Sequence, residues 1–200
     1  MKPLSLSYLW MDFQSRIYGF DSVFPRTIKE LTTRPGAVIE RFIKGNRIVY
    51  VGPVGYFFLM VAISVLLMDL TGLDFFEFSK TVTPISGEIT SKQEQVSKLM
   101  SGYVAENFRL FKFLLIPVNT FWIWLFIRKK GYNYIKSSVA AFYAQGQLEL
   151  FYMINIVTLY FFDWHFYQFV FLLEPAYYGF IFITWMSGNK IKSFLKGALV

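Results

Sequence analysis

Cysteine is absent from the 200 residues, and histidine occurs once, as His165. The first absence excludes disulfides and thiolate metal sites, and the second excludes a histidine cluster. No metal and no cofactor are therefore expected. Charge is also scarce. Asp, Glu, Lys and Arg together make up 16% of the chain, against about 25% in ordinary soluble domains. G-x-S-x-G, a P-loop, H-E-x-x-H and the dinucleotide glycine motif are all missing, so the usual signatures of hydrolases, nucleotide enzymes and zinc peptidases are lacking. Gly52-Pro-Val-Gly55 reads as a helix start. The chain is read as no enzyme.

Apolar and aromatic residues fill the gap: 55% is hydrophobic, with 24 Phe, 13 Tyr and 5 Trp. A soluble chain of this size has too little interior to hide them, whereas lipid solvates them directly. A spanning helix needs about 20 mostly apolar residues. Four stretches approach this, at 53–70, 110–127, 139–162 and 166–186. The fold class expected is all-α, an integral membrane bundle of about four transmembrane helices forming one domain over 1–200. Pro53 suits a first helical turn, and Pro117 is expected to kink the second span. Asp163 and Trp164 form the turn between the last two spans, amid Phe161, Phe162, Phe166 and Tyr167, which resembles an interfacial aromatic belt.

Orientation follows from counting Lys and Arg. Residues 1–52, the second connection and the tail together hold fifteen of the twenty. That bias places both ends on the cytoplasmic side. The expected location is the bacterial inner (cytoplasmic) membrane, multi-pass. The start, MKPLSLSYLWMDF, lacks the apolar core and cleavage site of a signal peptide, which leaves insertion to the first span.

The segments between spans also carry pattern. Thr27 to Glu30 reads as a capping box. A second short helix runs from Pro35 to Gly45, with Val38, Ile39, Phe42 and Ile43 on one side and Glu40, Arg41 and Lys44 on the other. These amphipathic collar helices either lie in the headgroup layer or pack under the bundle. In the outer connection, Ser91 to Glu94 is a further capping box, followed by apolar residues at helical spacing, so an outer-loop helix is expected.

Two acidic residues lie deep in apolar stretches, Glu149 in the third and Glu174 in the fourth. Ionisable groups there are costly and mark a polar interior. Both lie about 17 Å from the turn at Asp163, at similar depth. Gln145 and Gln147 precede Glu149, and Arg109 and Lys112 stand at the outer start of the second span. Together these six form the candidate ion or proton site, the alternative being a polar network that pins helices. Glu149 and Glu174 form a carboxyl pair if both face the shared interface, and are separate structural contacts if they face different helices. The inner basic residues Arg34, Arg41, Lys44, Arg47, Arg128, Lys129 and Lys130 are read as contacts to anionic lipids or to a cytoplasmic protein partner. The net charge of +7 follows from the positive-inside bias and does not require nucleic acid.

Residues 24–67 carry the pattern T-x-x-x-L-x-x-R-P-G-x-x-I-x-x-[YF]-x-x-G-x-R, with Thr27, Leu31, Arg34, Pro35, Gly36, Ile39, Phe42, Gly45 and Arg47. This resembles a widespread uncharacterised family of bacterial membrane proteins. RKKGYNYIKSSVAAFYAQGQLELF looks like that family's inner connection, and WMSGNKIKSFLKGAL is similar to its ending. The resemblance implies no established activity. The sequence departs from it in lacking a zinc ribbon, and in having Tyr143, Gln145 and Gln147 where relatives often have histidines. In size and architecture it is also similar to small accessory proteins of RNA-targeting CRISPR effectors. The leading expectation is a membrane scaffold or accessory protein working through homo-oligomers or a protein partner. The alternatives are a small channel, including one in antiviral defence, and a lipid-handling or transport protein that uses the carboxyls.

Overall fold

The computed structural model describes residues 22–72, 113–162, 167–186 and 188–200. Among these residues the regular structure is entirely helical, in the order α1 (22–33), α2 (Pro35–Ile43), α3 (Pro53–Thr71), α4 (113–127), α5 (Tyr134–Phe162), α6 (Tyr167–Trp185) and α7 (Lys190–Ala198). The outer-loop helix, Arg109, Lys112 and the turn at 163–166 lie outside the described residues.

Local chemistry sets the boundaries. Pro35 has no amide to continue α1, so the helix breaks at Arg34 and α2 begins with proline in its first turn. Pro53 opens α3, and Gly72 closes it at φ 63°, a left-handed conformation that suits glycine. Asn133 caps α5 by accepting from the Lys136 amide at 2.8 Å. That cap starts the helix five residues earlier than the apolar pattern at 139 indicates, because a polar first turn is held by its cap and not by burial. Thr27 corrects another reading. It lies inside α1, not at its start, and its hydroxyl donates to the Val23 carbonyl at 2.7 Å while accepting from the Val51 amide at 3.1 Å.

α3 packs most extensively along α5, and α6 along α7, with α2 seated on α6. α5 and α6, expected to be a tightly paired hairpin, share a smaller contact. Gly146 brings α5 close to α3, since a Cβ there would lie 2.7 Å from the Tyr56 ring. The core holds Tyr56, Phe57, Tyr143, Tyr178 and Phe182, joined by Leu31, Val38 and Ile39 of α1 and α2. α1 therefore contributes one face to the interior, through Thr27 and Leu31. Phe24 meets the Tyr56 ring, the Leu31 carbonyl accepts from Tyr177, and Thr32 bonds Gln147.

The outer surface is apolar. Phe58, Ile63, Leu66 and Leu70 of α3 are exposed, as are Leu114, Val118 and Trp122 of α4 and Ile154, Phe161 and Phe162 of α5. Gln145, Gln147, Glu149, Asn119 and Asn155 are buried. Among the described residues one helix, α3, is long and apolar enough to cross a membrane by length and composition, and only 22% of its apolar window is buried. A core helix of a soluble protein would be mostly buried.

Candidate functional site

Two polar clusters tie the helices together, one in the bundle and one at the collar. The bundle cluster is organised by α5. Residues 145 and 147 are two apart, so their side chains leave the helix about 200° apart. Gln145 faces α6. Its amide nitrogen donates to Glu174 Oε1 and to the Tyr178 hydroxyl, both at 3.1 Å. Tyr178 also accepts from Asn119 Nδ2 of α4 at 3.0 Å. Gln147 faces the other way, accepting from the Tyr56 hydroxyl and donating to Thr32 Oγ1 at 2.9 Å. The two glutamines thus connect four helices, and Tyr178 brings in α4 as a fifth. Neutral amides suit this place because they can both donate and accept without the cost of burying a charge.

Glu149 is 1% exposed and sits one turn from Gln145 on the same face of α5. Tyr152 lies within electrostatic reach of both Glu149 and Glu174. The hydrogen bond given to Glu174 comes from Gln145. The side chains of Thr120 and Asn155 are buried, and neither makes a hydrogen bond.

The collar cluster is built from ions. Glu30 on α1 pairs with Arg34 at 3.0 Å and with Arg41 at 3.6 Å, and accepts from the Tyr50 hydroxyl at 2.6 Å. Glu40 on α2 receives the Tyr132 hydroxyl at 2.7 Å, the Trp185 indole at 2.9 Å and Lys44 at 3.1 Å. One carboxylate therefore joins α2, the connection before α5 and the end of α6. Burial raises the pKa of both carboxyls, but the bonds from Tyr50 and Arg34 to Glu30, and from Tyr132, Trp185 and Lys44 to Glu40, outweigh it, leaving both below the ordinary value near 4.5. Tyr50 and Tyr132 shift upward, first through burial and then through bonding to the same carboxylates. The paired shifts agree: the carboxylate stays ionised and the phenol keeps its proton.

Arg47, Arg128, Lys129 and Lys130 lie at the surface. Arg47 sits over the Phe42 ring at 5.7 Å and Arg128 over the Trp124 ring at 5.6 Å. Arg128, Lys129 and Lys130 form an exposed single turn. Close backbone contact seats the collar. The Gly36 amide donates to Thr184 Oγ1 at 3.0 Å, and a Cβ on Gly36 would lie 2.3 Å from the Thr184 and Trp185 backbone.

Asn119, Tyr178, Tyr56 and Thr32 complete the bundle cluster, and none was singled out from the sequence. Asn119 had a signal, as a lone amide in the apolar run LLIPVNTFW. Glu40 had one too, four residues before Lys44 and on a short helix.

A family model described as a protein of unknown function (DUF3667) matches residues 21–65. That stretch covers α1, α2 and most of α3. No curated protein and no solved structure matches the chain.

Proposed function

We propose that this chain is a four-span integral protein of the bacterial cytoplasmic membrane, with α3, α4, α5 and α6 spanning and both ends inside. In this reading it acts without catalysis, as a scaffold or accessory protein working through oligomers or a protein partner. The observation that carries the membrane reading is the inverted polarity of the bundle. Exposed Phe, Leu, Ile and Trp run along α3, α4 and α5, while Asn119, Gln145, Gln147, Glu149 and Asn155 are buried. In water such an arrangement costs free energy on both counts, and in lipid it is the stable one. α5 and α6 are less apolar because Gln145, Gln147, Glu149, Asn155 and Glu174 lie on them, and those residues turn inward or toward neighbouring helices. The scaffold reading is supported by how the polar groups are used: Gln145, Gln147, Tyr178 and Glu40 each hold separate helices together. The basic inner surface then offers Arg34, Arg41, Lys44, Arg47 and Arg128 to Lys130 to anionic lipid or to a protein.

The test is made on the full chain. Single cysteines at Ser86 and Lys129 are expected to label oppositely in intact cells, Ser86→Cys from outside and Lys129→Cys only after lysis. Lys129 is exposed, in the connection between α4 and α5. Native mass spectrometry from a mild detergent is expected to show an oligomer or a stoichiometric companion. Outside labelling of Lys129→Cys overturns the topology, and a strict monomer with no companion overturns the scaffold.

A second reading, a proton or cation site at Glu174 and Glu149, is favoured by their common neighbour Gln145, which donates to Glu174 Oε1 at 3.1 Å and lies one turn from Glu149 on α5.

A further inference from the structure

The sequence pattern leaves residues after 186 as a basic tail, but the structure folds them into α7 and lays that helix back along α6. Asn189 starts it, its side chain accepting from the Ile191 and Lys192 amides. Gly197 lies so close to α6 that a Cβ there would be 2.3 Å from the Tyr178 carbonyl, and Gly179 is covered by the Phe194 ring. Tyr178 is seven residues before the end of α6, so α7 reaches about 10 Å back along it.

α7 has three faces. Ser193 and Gly197 are buried against α6. Ile191, Leu195 and Leu199 recur every fourth residue and are 72%, 56% and 70% exposed. Lys192 and Lys196 border that stripe, and Lys190 stands at the helix start, all exposed. A helix hydrophobic outward and flanked by cations suits neither water nor the centre of a bilayer. It suits the boundary between headgroups and acyl chains, where leucines enter the hydrocarbon and lysines extend to the phosphates.

We infer that α7 is a re-entrant lipid anchor: Ile191, Leu195 and Leu199 insert into the inner leaflet, and Lys192 and Lys196 bind the headgroups of anionic phospholipids. The inference rests on the membrane reading above, and it adds a specific lipid-binding element that the count of spans does not contain. Charge complementarity chooses the occupant, since Lys192 and Lys196 border the stripe and α7 contains no acidic residue.

The chain's lack of cysteine makes the test direct. Leu195→Cys, Lys192→Cys and the α3 control Leu66→Cys are each labelled with an environment-sensitive fluorophore in the full chain. The proteins are reconstituted into phosphatidylcholine vesicles containing phosphatidylglycerol and some phospholipid with brominated acyl chains. Leu195→Cys is expected to be quenched as strongly as Leu66→Cys, with Lys192→Cys quenched much less. In native mass spectrometry, the Lys192→Gln, Lys196→Gln double variant is expected to retain phosphatidylglycerol less well, by on the order of ten-fold. If Leu66→Cys is quenched and Leu195→Cys is not, the anchor is overturned and the membrane reading stands. If neither is quenched, both fall. Shielding of Leu195→Cys from bromolipid and aqueous iodide alike means that a second copy or another protein covers the stripe, which overturns the lipid assignment. Undiminished phosphatidylglycerol retention in the double variant overturns the headgroup contact.

Discussion

The collar and the bundle interior solve one problem with different groups. Both must hold several helices in register through polar side chains. At the collar the central atoms are carboxylates, Glu30 and Glu40, ringed by Arg34, Arg41, Lys44 and two phenols. In the interior the connecting groups are the amides of Gln145, Gln147 and Asn119 with the hydroxyls of Tyr56 and Tyr178. Water explains the difference. The collar's cations keep one side in solvent, Lys44 with 72% of its side chain exposed, so an ion pair there is only partly desolvated. Gln147 has no exposure at all, and an ion at that place would carry the full burial cost. Ionic ties suit the wet end and neutral ties the dry one.

The largest effect is expected where the two regions share backbone contact. Gly36→Ala puts a methyl into the Thr184–Trp185 backbone. No side-chain rotation relieves that overlap, so the loss is on the order of 3 kcal/mol. Thermal unfolding in detergent is expected to show α2 losing its seat on α6, and an unchanged melting temperature would refute the packing.

Next comes Glu40→Ala, which strands the Tyr132 and Trp185 donors. Water reaches part of this site, so about 1–2 kcal/mol is expected. The pH dependence carries a definite sign. The folded pKa of Glu40 lies below the ordinary value near 4.5. Its contribution is therefore complete above that value and disappears as pH falls through the lower folded pKa. A melting series from pH 7 to pH 3 is expected to fall less steeply for Glu40→Ala than for the unchanged chain. Parallel curves would remove Glu40 as an acid-sensitive tie.

The interior tie is expected to be weaker, because hydrogen bonds between membrane helices average about 0.6 kcal/mol. Gln145→Leu, Glu174→Gln and the double variant form a cycle, and since the two groups touch at 3.1 Å their effects should not add. The same variants separate the second functional reading. In vesicles carrying a pH gradient and an internal dye, a proton site predicts faster dissipation with the unchanged chain than with Glu174→Gln. Equal rates leave the interior as a structural tie.

The smallest effect belongs to the surface. Replacing Arg41, Lys44 and Arg47 together by Gln removes the Arg41–Glu30 and Lys44–Glu40 pairs, whose cations are largely in solvent, at a few tenths of a kcal/mol each. Stability should hardly move, while affinity for vesicles rich in anionic lipid should drop. Unchanged affinity would assign this face to a protein.

By itself the sequence determined the helical class, the apolar α3 and the amphipathic α2, because each follows from composition or from the spacing of apolar residues along a single helix. It also singled out Glu149, Glu174 and the two glutamines, since polar residues in apolar runs are visible without a fold. Spacing even showed that Gln145 and Gln147 leave α5 on different faces. Only the tertiary structure decided what they meet. Glu174 accepts from Gln145 across the α5–α6 contact, and Gln147 donates to Thr32, 115 residues away. The burial of α1 was equally hidden, because a short helix with Thr27, Lys29 and Glu30 looks like a solvated surface until Val51, Tyr177 and Gln147 close around it. In the sequence α7 reads as a tail, because its apolar stripe is brief and its lysines obey the inside rule. Whether such a stripe forms a helix, and where that helix lies, depends on the close approach at Gly197, and close approach is a property of two surfaces that no single stretch of sequence contains.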